Sequence, residues 1–190
     1  MSRYIGDKYN VSMVPEFLND FANEIFAALE DEIEWSRPIS TSRRTNATYG
    51  DPGVVYTVRF GGYGNRPLNI SRRVAKPWTP LLAILRDLVS MKTGDKYNVC
   101  VVQRYPNGRV GINPHRDDEM GSNSIACLSF GAERCLVMKP PSYIREDEKR
   151  YNLSNGSLYV LEPPTNAHWQ HSLPLDATTT PRISLTYRYI

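Results

Sequence analysis

His115 and Asp117 flank a single arginine, Arg116, and a second histidine, His171, follows 56 positions after the first. The chain has only three histidines, so two of them belong to this set. Two imidazoles and one carboxylate on one face of an octahedral ion leave adjacent positions open, the pattern of non-haem Fe(II) oxygenases. Ferrous iron alone does not carry out two-electron oxidation with O₂, so a chelating co-reductant is needed. Eleven residues past His171, the run Arg182-Ile183-Ser184-Leu185-Thr186-Tyr187-Arg188 brings two arginines. Arginine presents a planar fork that fits carboxylates, which points to an anionic co-substrate carrying them.

Spacing supports this reading. With one residue between them, His115 and Asp117 project from the same side of an extended segment and can grip one ion. His171 is distant enough to come from another strand. In the 182–188 run the odd positions are apolar or aromatic and the even ones are Arg, Ser, Thr and Arg. That alternation predicts a half-buried strand whose polar face looks into a cavity or solvent. Arg182 and Arg188 share that face about 20 Å apart. One is therefore expected at the distal carboxylate of the co-substrate and the other at its metal-chelating end.

Elements that could position these residues follow from periodicity. Pro15 to about Glu34 reads as an amphipathic helix through Phe17, Leu18, Phe21, Ile25, Phe26, Leu29 and Ile33. Thr79-Pro80 is a helix start and Gly94 a stop. Strands are expected at Asn98–Tyr105, Ser124–Phe130, Arg134–Lys139, Ser157–Leu161 and Arg182–Tyr189. This is an α+β pattern, with helices buttressing one face of a sandwich. At 190 residues the chain is long enough for one domain with a good core. It has no apolar run long enough for a membrane span and no signal-peptide core after Met1, so a soluble intracellular protein is expected; separately, a monomer is the expected state. Cys100, Cys127 and Cys135 lie in apolar strand contexts, as buried thiols in a reducing compartment would. The net charge of +3 permits nucleic-acid binding without arguing for it.

Seven arginines, Arg37, Arg43, Arg44, Arg59, Arg66, Arg72 and Arg73, crowd 37 residues before the second helix. They fit either a phosphate-contacting lid in a loop-rich region or a solvated surface with scattered ion pairs. Tyr49, Tyr56 and Phe60 interleave with them, as base-stacking planes or as core aromatics.

Ordered blocks across about three-quarters of the chain resemble the AlkB-type Fe(II)/2-oxoglutarate dioxygenases, in the branch that repairs alkylated DNA. These are Ala47-Thr48-Tyr49-Gly50-Asp51, Gln103-Arg104-Tyr105, His115-Arg116-Asp117-Asp118-Glu119, Leu128-Ser129-Phe130-Gly131-Ala132, Asn155-Gly156-Ser157-Leu158, His168-Trp169-Gln170-His171-Ser172-Leu173-Pro174 and Pro181 to Arg188. The resemblance implies a double-stranded β-helix (jelly roll) and a single domain, residues 1–190, whose residues 35–75 are a nucleotide-recognition lid. It implies Fe(II) on His115, Asp117 and His171. It also implies 2-oxoglutarate held by Gln103, Tyr105, Arg182, Ser184 and Arg188, and O₂ as second co-substrate. The implied reaction releases CO₂ and succinate, hydroxylates an N-alkyl carbon and ends in formaldehyde and the free base. Arg44, Tyr56, Val58, Asp118 and Glu119 are the implied substrate contacts, the carboxylates suiting a cationic ring such as 1-methyladenine or 3-methylcytosine.

Departures from the family pattern are Gln103 and Ser184, where relatives usually carry Asn, and Val58, where the DNA-repair branch commonly has an aromatic. Gln103 and Ser184 keep hydrogen-bonding capacity with a different reach. The segment Trp35 to Ala47, where duplex-preferring relatives place an apolar finger, is short, polar and basic. Only Ile39 there could fill the gap of a flipped base, so single-stranded DNA is the expected substrate. Two other classes fit the same residues: the same chemistry on methylated RNA or a protein side chain, and a non-catalytic metal or nucleic-acid-binding module. A structural zinc site would more often bring cysteine ligands or a fourth histidine.

Overall fold

The computed structural model describes residues 9–36, 43–61, 68–117, 123–140 and 147–190. Its helices are α1 (Ala22–Glu32), α2 (Pro80–Thr93) and the short α3 (Thr165–His168). Thirteen strands are described: β1 (Val11–Val14), β2 (Thr45–Gly50), β3 (Val55–Gly61), β4 (Leu68–Val74), β5 (Lys76–Pro77), β6 (Val99–Tyr105), β7 (Ile112–His115), β8 (Ile125–Gly131), β9 (Arg134–Lys139), β10 (Lys149–Leu153), β11 (Ser157–Leu161), β12 (Gln170–Leu173) and β13 (Arg182–Arg188). They form a seven-stranded sheet, β1-β11-β8-β13-β6-β2-β5, a four-stranded sheet, β10-β9-β12-β7, and the hairpin β3-β4. All pairings are antiparallel except β2 with β5. Two such sheets with interleaved strand order form the jelly-roll core expected from the sequence.

Alternation along each strand divides the large sheet into two faces. Cys100 and Val102 of β6, Ala126, Leu128 and Phe130 of β8, and Ile183, Leu185 and Tyr187 of β13 join α1 and α2 in one apolar cluster. The helices contribute Ala22, Ile25 and Leu29 from α1 and Leu82, Leu85 and Val89 from α2. On the opposite face, Tyr105, Ile125, Cys127 and Tyr159 meet Leu136, Met138 and Leu173 of the small sheet and Trp169 just before β12. The chemistry-bearing even positions of β13 share this inner face.

Differences from the sequence reading have local causes. The first helix begins later than Pro15: a 3₁₀ turn at Asn19–Phe21 precedes α1, and the chain before it is tied to the far strands. The Leu18 N–H donates to the Gly156 carbonyl at 2.9 Å. Gly156 has φ 82, and a Cβ there would lie 2.7 Å from the Leu18 and Asn19 backbone, so only glycine lets the segment approach. The region before α2 is not mainly loop: it contains β2, the β3-β4 hairpin and β5. The second helix agrees with expectation. Thr79 Oγ1 accepts from Leu82 N at 3.2 Å, Pro80 opens the helix and Gly94 closes it at φ 77. Strand β13 is buried at every position rather than half-buried; its odd side chains pack with α1 and α2. Among the described residues no helix is long and apolar enough to cross a membrane. Cys100 and Cys127 are buried thiols as expected, while Cys135 is partly exposed.

Candidate metal and co-substrate site

His115, at the end of β7, stands directly opposite His171 of β12 in the sheet register. Their ring centroids are 4.2 Å apart. Asp117 follows just beyond β7, with Oδ1 3.8 Å from His115 Nε2 and Oδ2 3.8 Å from His171 Nε2. The candidate ligand atoms of the three residues all lie within 4.8 Å of one another. The sequence-predicted set therefore converges, the first pair by extended spacing and the third by cross-strand register.

Electrostatics fit the donor set to a divalent ion. Burial by itself would raise the Asp117 carboxyl, but Arg188, His171 and His115 outweigh it and hold the pKa at about 2, so the group is a carboxylate. Burial lowers His171 to about 4 against the pull of Asp117, which keeps the ring neutral and its lone pair available. His115 Nδ1 lies 2.9 Å from the Asn113 carbonyl. That contact assigns the proton to Nδ1 and turns the Nε2 lone pair inward, as a ligand histidine requires. The His115 side chain is 30% exposed against 9% for His171, so the open side of the site is at His115.

Asp117 is fixed from two directions. Arg188 Nη2 donates to Oδ1 at 2.8 Å. Asn166, in α3, accepts from the Asp117 N–H at 3.0 Å and donates to its carbonyl at 3.1 Å. Sequence reasoning missed Asn166, because a buried amide 49 residues away leaves no periodic trace.

The expected co-substrate residues lie in adjacent cross-strand rows. Tyr105 pairs with Arg182 and Gln103 with Ser184 across β6 and β13. Tyr105 Oη donates to Gln103 Oε1 at 2.8 Å, and the Arg182 guanidinium carbon lies 5.4 Å from the Tyr105 ring centroid. Arg182 is buried and its Nε donates to Ser129 Oγ at 2.8 Å. Ser129, also missed at first, is opposite Ser184 on β8. Arg182 and Arg188 take opposite ends of β13, as their separation predicts. A buried guanidinium at one end and a metal set at the other suit a dicarboxylate that chelates with one terminus.

Tyr56 of β3 is buried against Val99 and Val101, and the Arg188 guanidinium carbon lies 5.3 Å from its ring centroid. The hairpin thus reaches the metal set through Arg188. Val58 is on the same hairpin, opposite Ser71, but its side chain lies outside the described residues. Asp118 and Glu119 lie outside them altogether. Arg44 is placed near Tyr105, with its guanidinium carbon 5.6 Å from that ring centroid.

Comparisons with known proteins agree with this geometry. A family model described as the 2OG-Fe(II) oxygenase superfamily matches residues 10–188. The protein named DNA oxidative demethylase ALKBH2 from Homo sapiens is 38% identical over 190 residues, covering 89% of this chain and 69% of its own length. Its Bos taurus counterpart is 39% identical over 191 residues, with 89% and 64% covered. The alpha-ketoglutarate-dependent dioxygenase alkB homolog 3 of Bos taurus is 31% identical, with 95% and 66% covered. This chain therefore spans about two-thirds of the length of these relatives. The solved structure of OsALKBH1 shares the fold, with a TM-score of 0.68 over 96% of this chain and 98% of that one at 12% identity. With the triad and the buried arginines in place, the chain belongs to the 2OG-Fe(II) oxygenase superfamily, among its AlkB-type Fe(II)/2-oxoglutarate dioxygenases.

Proposed function

We propose that this protein is an oxidative demethylase of N-alkylated bases in DNA, with 1-methyladenine and 3-methylcytosine as typical lesions and a preference for single strands. The observation that carries the reading is the His115–Asp117–His171 set joined through Arg188 to Tyr56 of the β3-β4 hairpin. Relatives named DNA oxidative demethylase support the substrate class.

Bound iron, 2-oxoglutarate and O₂ supply the two-electron oxidation of the N-alkyl carbon, with succinate and CO₂ as by-products. The protein's part is positioning. Arg188 orients the Asp117 carboxylate and, with His171 and His115, keeps it ionised, while Asn166 fixes the Asp117 backbone. Arg182, Tyr105, Gln103 and Ser184 hold the distal carboxylate and set the reach of the co-substrate. Residues 35–75 act as the nucleotide-recognition lid, with Tyr56 and Val58 walling the base and Arg44 near the entry. Asp118 and Glu119, next in sequence to the ligand pair, favour a cationic methylated ring over the normal base. The hydroxymethyl product then loses formaldehyde and frees the base. Strand preference rests on the short polar segment Trp35 to Ala47, which offers little to fill an emptied duplex position.

The test is a matched pair of DNA oligonucleotides with one 1-methyladenine, with and without complement, assayed for formaldehyde and succinate. The single strand is expected to be repaired faster, and His171→Ala is expected to release neither product. No turnover of either oligonucleotide by the wild type would overturn the substrate reading. An equal or faster duplex rate would overturn the strand preference alone.

A further inference from the structure

Arg44 and Arg73 bring positive charge to the site that the metal and co-substrate do not use. Arg44 Nη1 is enclosed and finds no hydrogen-bond partner among the described residues. Arg73, on β4, stands opposite Tyr56 and donates from Nη1 to Asn46 Oδ1 at 2.7 Å. Asn46 is two positions after Arg44, so both side chains project to the same side of the extended chain. That side is the inner one, since Asn46 pairs across to Gln103 of β6.

The two guanidiniums affect one another. Burial lowers the Arg73 pKa, Tyr56 raises it and the charge of Arg44 lowers it again. Among the described residues, the arginines in ion pairs are Arg86, Arg104, Arg134, Arg150 and Arg188. Neither Arg44 nor Arg73 is among them. Placing two cations together, one with an enclosed and unpartnered N–H, is costly unless an anion binds both.

The anions already assigned to the site are accounted for. Asp117 and a dicarboxylate are already more than offset by the divalent ion, Arg182 and Arg188. An N-methylated base is itself cationic and would be repelled by two guanidiniums. A backbone phosphate is the anion that every nucleotide brings, and arginine forks match it bidentately.

We propose that Arg44 and Arg73 form a phosphodiester subsite beside the metal site that grips the linkage next to the base being repaired, with Asn46 aiming the Arg73 fork. The subsite rests on the nucleic-acid reading above. It ties the β3-β4 hairpin to the register of the strand, because one phosphate must fit between β2 and β4 when the lesion reaches the metal.

The experiment measures equilibrium binding of metal-loaded full-length protein, kept anaerobic, to short single-stranded DNA with one 1-methyladenine. One linkage at a time is made neutral as a methylphosphonate. For the wild type, one linkage beside the lesion is expected to weaken binding about tenfold when neutral, the cost of a charge-assisted contact. Arg73→Ala should bind all charged oligonucleotides about tenfold more weakly and show no further loss at that linkage. Its slope of log affinity against log salt should fall by about 1. Arg44→Ala should repeat this at the same linkage, and Arg73→Lys should restore part of the affinity. For Arg73→Ala the 2-oxoglutarate half-saturation should not move, and unchanged thermal unfolding would show that the variants fold. Equal methylphosphonate costs in wild type and variants at every linkage would overturn the subsite. So would a shift in 2-oxoglutarate half-saturation in place of the oligonucleotide's. Because the readout is binding, failed demethylation would sink the proposed function while the phosphate result stayed readable.

Discussion

The Arg188–Asp117 contact gives the ligand carboxylate a fixed direction and a fixed charge. The Asn166 amide fixes its backbone on the other side. Removing that amide leaves the three ligands in place but loosens one. Asn166→Ala is therefore expected to weaken Fe(II) binding roughly 10- to 100-fold while 2-oxoglutarate binding to the loaded protein changes little. An anaerobic Fe(II) titration checks it, and unchanged iron affinity would show that Arg188 alone suffices. Arg182→Lys should act at the opposite end of β13. A lysine keeps the charge and loses the fork, so the 2-oxoglutarate half-saturation should rise about tenfold or more with iron affinity intact. At this scale the sequence was informative wherever function needs a rare residue type at a short spacing. His115 and Asp117 stand out on those terms, His171 as one of only three histidines, and Arg182 and Arg188 by sharing one face of an alternating run. Ser129 and Asn166 do not, because serine and asparagine are common and their role comes only from the partner the fold supplies.

Elements were legible when their own sequence carried the pattern. The helix at Pro80–Thr93 has its cap, its proline and its glycine within reach of one another. Thr79→Ala is expected to cost about 1 kcal/mol, measured by urea unfolding, because the Leu82 N–H loses its acceptor. The strands to which the sequence reading gave no bounds are of another kind. Four-residue β7 and β12 contain Asn-Pro-His and Gln-His, and their pairing is what places His115 opposite His171. Their strand state comes from neighbours rather than from propensity. The β3-β4 hairpin was hidden by its arginines, which read as loop until the register shows Tyr56 facing inward. The first helix was read too long for the converse reason: Phe17 and Leu18 keep helical spacing, but the Leu18 N–H is taken by Gly156.

Across the whole molecule, burial on both faces of the large sheet leaves ionisable groups that tolerate only their neutral forms. Burial pushes the Tyr159 and Tyr187 phenols and the Cys100 thiol well above their ordinary values, and Cys127 upward as well. Folded pKa values raised above the unfolded ones stabilise fully below the unfolded values, near 8.5 for Cys and 10 for Tyr, and that stability is lost as pH rises beyond them. Unfolding free energy should therefore fall from about pH 9 upward, on the order of 1 kcal/mol per pH unit for each such group. Tyr187→Phe gives up the hydrogen bond to the Leu82 carbonyl and should cost about 1 kcal/mol at neutral pH. Its alkaline decline should be shallower, and an unchanged slope would show that Tyr187 does not contribute. Strand β13 concentrates this double burial. Its odd side chains anchor the helices and its even ones face the chemistry. Most strands leave every second codon free to drift. In β13 no such codon remains: seven consecutive positions are each held by stability or by reactivity. Chance change in this stretch is thus harmful unless the new side chain keeps the old one's bonds, as the hydroxyl of Ser184 can in place of an amide, and a lineage that keeps the activity must inherit the rest of the strand nearly whole.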